Sequence, residues 1–172
     1  MLRSCVFIAV MLAVVHANAA ESFGKRMQKA NTTLQNGDAD GALSQYRELQ
    51  VEQPESDLLY YNIGTALYNQ ALQNVDLKAT EDAIESLNNA KASFGKVLNA
   101  SDPDIRMNAA YNHANSEALI AQQSAGVGKY EETIEAFKES ITQYEQFLKQ
   151  YPKHQQAKTN LDHMRYLLKS ML

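Results

Sequence analysis

Seven stretches of this chain place apolar residues at the three- and four-residue spacing of a helix face, and none keeps the two-residue alternation of a half-buried strand. The cleanest stripe runs Tyr130, Ile134, Phe137, Ile141, Tyr144, Leu148, Tyr151 and stops at Pro152. Phe23, Met27, Ala30 and Leu34 mark a first helix, ended by Gly37-Asp38. Ala39, Ala42, Leu43, Tyr46 and Leu49 form the inner face of a second. A third carries Tyr60, Ile63, Gly64, Leu67 and Ala71, with Pro54 placed near its start. A fourth, capped at Thr80, carries Ala83, Leu87, Ala90, Phe94 and Val97. Ser101-Asp102-Pro103 is a capping residue followed by proline, the signal that opens a fifth helix along Met107, Ala110, Ala114, Ala118 and Ala121. Gly126-Val127-Gly128 reads as a helix-breaking turn, and Ala157, Leu161, Met164 and Leu168 mark a seventh helix. With only 7 Gly and 3 Pro in 172 residues, nothing else interrupts helix, so an all-α fold is expected.

The helices come in pairs, with prolines at near-matching places, which calls for a repeat test. Tyr61-Asn62-x-Gly64 matches Tyr111-Asn112-x-Ala114, and Ala42 precedes Tyr46 as Ala90 precedes Phe94 and Ser140 precedes Tyr144, each by four residues. These patterns resemble the tetratricopeptide repeat (TPR), a helix–turn–helix unit. The resemblance implies an α-α superhelix of about three hairpins, over 22–54, 57–103 and 104–152 within residues 20–152, closed by a capping helix over 153–172. The second and third units are longer than the standard repeat, and the large first-helix aromatic of the family meets Tyr60 in the second but only Ala110 in the third. Small residues at Ala42, Gly64 and Ala114 would let paired helices approach, while Tyr46, Phe94 and Tyr144 fill the space between pairs. The run YPKHQQAKTNLDHMRYLL also resembles the closing helix of bacterial envelope TPR proteins that work beside von Willebrand A-domain partners.

Residues 1–19 have the layout of a secretory signal peptide: Arg3, an apolar run from Val6 to Val15, then Ala17-Asn18-Ala19. A membrane span needs roughly 20 apolar residues, so cleavage after Ala19 is the expectation and a retained anchor the alternative. Cys5, the one cysteine, leaves with that segment, and the expected location is periplasmic or secreted.

Catalytic chemistry is not expected. The phosphate-loop, dinucleotide, zinc-protease and hydrolase-elbow motifs are all missing. His154 and His163 stand nine apart and form no metal pair, and His113 with Glu117 at i, i+4 is best taken as a helix-surface pair. No metal and no cofactor is anticipated, and Glu131, Glu132, Glu135 and Glu139 read as a solvated face. The sequons Asn31-Thr32-Thr33 and Asn99-Ala100-Ser101 read as incidental. A formal charge of −4 argues against a nucleic-acid partner. Residues 31–148 hold 7 basic against 18 acidic groups, and 149–172 hold five basic against Asp162. Solubility is the default reading, and the alternative is a basic partner for the middle and an acidic partner or anionic membrane surface for the end.

The expected work is therefore non-catalytic: holding a peptide or protein partner on a surface. In a TPR-like stack the first helix of each pair lines the concave side. That implies a groove formed by Asn31 in the first unit, by Tyr61, Asn62, Thr65, Tyr68 and Asn69 in the second, and by Tyr111, Asn112 and Asn115 in the third. Tyrosine rings offer rigid contact area and asparagine amides suit peptide backbone. The lysine clamp that some relatives use for a partner's terminal carboxylate has no equivalent where Met27 and Asn31 stand. The alternative is self-association into a homo-oligomer through the long sixth helix and the last helix.

Overall fold

Where each helix begins and ends is set by a few capping groups. The computed structural model describes residues 21–126 and 130–172, so the leader reading, with Cys5, lies outside the described residues. Among those described are seven helices and no strand: α1 Phe23–Gln35, α2 Ala39–Glu52, α3 Asp57–Asp76, α4 Thr80–Gly95, α5 Pro103–Ala125, α6 Tyr130–Gln150 and α7 Gln155–Met171. Gly37 takes φ 86° after α1, and the amides of Gly37 and Asp38 return to the carbonyls of Leu34 and Thr33. This is the closing turn that a left-handed residue makes. Asp38 then caps α2 through Gly41 N–H at 2.8 Å, and Asp102 caps α5 through the amides of Asp104 and Ile105 with Pro103 in the first turn. Ser56 caps α3, and Pro54 sits in the turn ahead of it.

Two ends depart from the sequence reading. Thr80 does not cap α4; it is the first helical residue, and the cap position is Ala79, with no side-chain acceptor. The chain reaches α4 through Lys78, held at φ 60° without a glycine, and the amides of Lys78 and Ala79 close on Val75 and Asn74 as in the turn after α1. His154 lies before α7, where its Nδ1 accepts the Ala157 amide at 3.1 Å and so acts as an imidazole cap.

Packing follows chain order. Each helix packs chiefly on its neighbours in sequence, and α3 also packs on α5. The pairs α1/α2, α3/α4 and α5/α6 therefore stack as three hairpins with α7 closing the end: an α-α superhelix of TPR-like units. The inner faces read for α2 and α4 are buried as expected, Tyr46, Leu87 and Phe94 completely. Gly64 passes so close to Phe94 that a Cβ there would lie 2.7 Å from the ring, which is the tight approach its small size permits. On α6 the buried line is Thr133, Phe137, Ser140, Tyr144 and Phe147, so the stripe is rotated slightly from the one inferred, and Ile134, Ile141 and Leu148 flank it half-buried. Small Thr133 and Ser140 occupy core positions that the apolar pattern alone would not select.

The apolar interior is divided. One cluster joins α1 to α4 around Tyr46, Leu59, Ile63 and Phe94 and takes in Ala109 near the start of α5, and another joins α5 to α7 around Phe137, Tyr144, Phe147 and Leu161. Between them lies a small group of Ala71, Leu87 and Ile120. At the junction of the second and third hairpins this small group lies between α3, α4 and α5.

Candidate functional site

The odd-numbered helices form one layer of the stack, and the polar residues that sequence assigned to a groove lie along it. Two trios of the same kind tie that layer to the tyrosines behind it. Tyr46 donates to Asn31 Oδ1 at 2.7 Å, and Asn62 Nδ2 donates to the same oxygen at 3.4 Å. At the other end Tyr144 donates to Asn115 Oδ1 at 2.7 Å, and Asn160 Nδ2 approaches that oxygen at 3.1 Å. Asn160 also lies 3.2 Å from each of the Tyr144 and Tyr111 hydroxyl oxygens. In each trio an asparagine on one odd helix accepts from the tyrosine of its own hairpin and from an asparagine on the next odd helix. The middle hairpin has Phe94 where a hydroxyl would be needed, and Thr65 turns its own hydroxyl back to the Tyr61 carbonyl at 2.9 Å.

Between α3, α5 and α7 the layer opens into a cleft of about 390 Å³. Its walls are Tyr68 and Leu72 on α3, Tyr111, Leu119 and Gln122 on α5, and His163 on α7, with the Asn115–Tyr144–Asn160 trio at its base. Burial, and secondarily the nearby Tyr111 phenol, pushes the Tyr68 hydroxyl above its ordinary range. Tyr144 is raised further, burial again leading and the Asn160 hydrogen bond opposing. Both therefore stay neutral hydroxyls at physiological pH. Asn115 spends its carbonyl oxygen and Asn160 its amide nitrogen on the trio, which fixes both side chains and leaves the Asn115 NH2 and the Asn160 carbonyl without a partner among the described residues.

Of the nine groove residues read from sequence, the cleft gathers Tyr68, Tyr111 and Asn115. Asn31 and Asn62 bond to each other at the α1–α3 contact, away from it. Tyr61 is half-buried with its ring tilted over Phe94 at 6.0 Å, and Asn69 Nδ2 turns back to the Thr65 carbonyl at 2.8 Å. Asn112 is half-buried, and its carbonyl accepts from Ser116. Tyr111 is shared: one side packs on Phe147 at 5.6 Å and His154 at 4.5 Å while its hydroxyl edges the cleft. Leu72, Leu119, Gln122, Asn160 and His163 were missed. Continuing the same helical step from Tyr68 to Leu72, and from Asn115 to Leu119 and Gln122, finds three of the five.

The apolar stripe considered for self-association is largely covered within the chain: Phe137 and Tyr144 are buried, while Ile141, Leu148 and Tyr151 pack against the α5–α7 cluster. His113 and Glu117 are not a simple surface pair either. Glu117 is buried and meets Lys91 Nζ at 2.6 Å, joining α5 to α4. Burial holds the His113 imidazole below its ordinary range, with Glu117 pulling the other way. Among the described residues no group of three or more potential metal ligands converges, and no helix is long and apolar enough to cross a membrane.

No family model and no curated protein matches the chain. Two crystal structures of MamA have a similar course. One is 16% identical over 87% of this chain and 90% of that one, with a TM-score of 0.33. The other is 14% identical over 80% and 92%, with a TM-score of 0.29.

Proposed function

We propose that this protein is an exported, non-catalytic scaffold that holds an extended segment of a protein partner in the cleft between α3, α5 and α7. The supporting observation is the pair of amide groups left over by the lower trio. The Asn115 NH2 and the Asn160 carbonyl offer one donor and one acceptor, which complements the C=O and N–H that one residue of an extended chain presents on the same side. Both are held in place before any partner arrives, so little side-chain freedom is lost on binding. Tyr68 and Tyr111 add rigid ring surface on either side. Export rests on the layout of residues 1–19, and a von Willebrand A-domain partner on the resemblance of the last helix.

Site-specific photo-crosslinking tests the reading. A benzophenone side chain placed at Leu119, inside the cleft, should capture the partner in the native compartment; one at Val51, 84% exposed on α2, should not. Equal capture from both positions would refute the cleft. Export is tested by the intact mass of the protein in the envelope or medium, which should begin at Ala20; a chain starting at Met1 in the cytosol would refute it.

A further inference from the structure

Two of the three helices that wall the cleft, α3 and α5, have been emptied of free charge, while α7 carries Lys158, Asp162, Arg165 and Lys169 outside the lining. Over 58–75 of α3 there is no Lys, Arg, Asp or Glu, in a chain where such residues make up 21%. Over 107–125 of α5 there is one, Glu117, and it is buried against Lys91. None of the side chains lining the cleft belongs to those four types. The charge is elsewhere: α2 carries Asp40, Arg47, Glu48 and Glu52, and α6 carries Glu131, Glu132, Glu135, Lys138, Glu139, Glu145 and Lys149. On α7, beside the cleft, Arg165 is engaged by Glu145 at 2.8 Å and Asp162 at 3.7 Å.

We infer, building on the proposed function, that the cleft selects an uncharged stretch of extended polypeptide and discriminates against Lys, Arg, Asp and Glu within it. The reason is desolvation. An ionised side chain entering this cleft would lose water and find amides, hydroxyls, aromatic and aliphatic groups and the His163 imidazole, with no carboxylate, ammonium or guanidinium to compensate. A backbone amide, by contrast, meets Asn115, Asn160 and Gln122, and an aliphatic side chain meets Leu72, 40% exposed, and Leu119. Charge complementarity here means absence matched with absence, and the specificity comes from what the cleft cannot solvate. Binding of such a segment follows contact area and is nearly indifferent to salt.

The probes are pools of synthetic dodecapeptides with blocked termini, titrated by fluorescence anisotropy into the purified protein. One pool is drawn from Ser, Thr, Asn, Gln, Ala, Val and Leu; two others replace every third residue by Lys or by Glu. The uncharged pool should bind about tenfold tighter than either charged pool. Its affinity should change less than about twofold between roughly 0.05 and 0.5 M NaCl. Leu119→Lys should reverse the order toward the Glu pool by about tenfold, with the far-UV spectrum unchanged. A charged pool binding the unsubstituted protein as tightly as the uncharged one, in a manner abolished by Leu119→Lys or Tyr68→Ala, would overturn this inference and leave the cleft reading intact. Binding that ignores both substitutions, or no binding by any pool, would overturn the cleft reading as well.

Discussion

Replacing Tyr144 by Phe removes one oxygen from the interior, and the trio around it makes the cost calculable. Tyr144 is 1% exposed; its hydroxyl donates to Asn115 at 2.7 Å and lies 3.2 Å from Asn160 Nδ2. Losing it deprives Asn115 of its shortest partner, yet Asn160 still reaches Asn115 at 3.1 Å and Tyr111 at 3.2 Å. No group is orphaned outright, so the penalty of an unsatisfied buried amide does not apply in full. One good hydrogen bond and a small void remain as the loss, about 1–2 kcal/mol. The same substitution at Tyr46 breaks an equally short bond, but its acceptor Asn31 is exposed and water can replace the hydroxyl. That change should cost about 0.5–1 kcal/mol.

Urea unfolding followed by far-UV circular dichroism reads both numbers, with unchanged slopes as the check that the unfolded states are comparable. The trio also predicts coupling: Tyr144→Phe and Asn160→Ala together should cost less than their separate effects added, by about 0.5–1 kcal/mol. The second hairpin is a built-in control, because Phe94 fills the corresponding place with no hydroxyl at all and is fully buried. A Tyr144→Phe variant as stable as the parent within about 0.3 kcal/mol would refute this reasoning, as would strict additivity with Asn160→Ala or a larger loss at Tyr46.

Gly64→Ala should destabilise by about 1–2 kcal/mol in the same assay, because the added Cβ meets the immobile Phe94 ring at 2.7 Å and that strain outweighs the gain in helix propensity. Lys78→Gly should instead stabilise, by about 1 kcal/mol, since Lys78 holds φ 60° where glycine has no Cβ penalty. Burial pushes the Tyr46 phenol to about 12 in the fold, against about 10 in the unfolded chain. The raised value means a contribution fully present below pH 10 and lost as pH climbs from about 10 to about 12; Tyr46→Phe should flatten that fall in thermal scans. Glu117→Gln should lower the His113 imidazole pKa further in an NMR titration, because the larger of the two carboxylate influences raising it, ahead of Glu139, is removed.

Helix faces were legible wherever large apolar residues repeat on one side, as Ala42, Tyr46 and Leu49 do on α2 and Leu87 and Phe94 do on α4. They were less legible where small polar residues go inside. Thr133 and Ser140 are buried on α6, and of the two only Ser140 was marked, by standing four residues before an aromatic as Ala42 and Ala90 do. The α3–α4 turn was misread for a related reason: Lys78 takes the left-handed position, so no glycine announces the end of α3, and Thr80 becomes helical. For the cleft, the TPR resemblance reached Tyr68, Tyr111 and Asn115 because they share one face of consecutive odd helices. Asn160 and His163 were invisible to it, since only packing brings α7 beside α5. The imidazole cap at His154 escaped for another reason: histidine is not among the side chains that cap preference singles out.

Why the cleft sits where it does follows from how the hairpins are joined. At both ends of the stack, amide and hydroxyl groups on the odd layer are consumed in holding one hairpin to the next. Between the second and third hairpins that arrangement fails, because Phe94 has no hydroxyl to offer and Thr65 bonds to its own helix. The joint is held instead by the small Ala71–Leu87–Ile120 group and by the Lys91–Glu117 pair, which links α4 to α5. Cohesion has thus moved off the odd layer at the one place where Tyr68 and Leu72 of α3 face Tyr111 and Leu119 of α5. A side-chain amide carries both a donor and an acceptor, so Asn115 and Asn160 can use one in the fold and keep the other for a ligand. With this junction anchored through an ion pair on α4, the space between α3 and α5 stays open as a cleft, lined by the amide groups that the lower trio leaves over on Asn115 and Asn160.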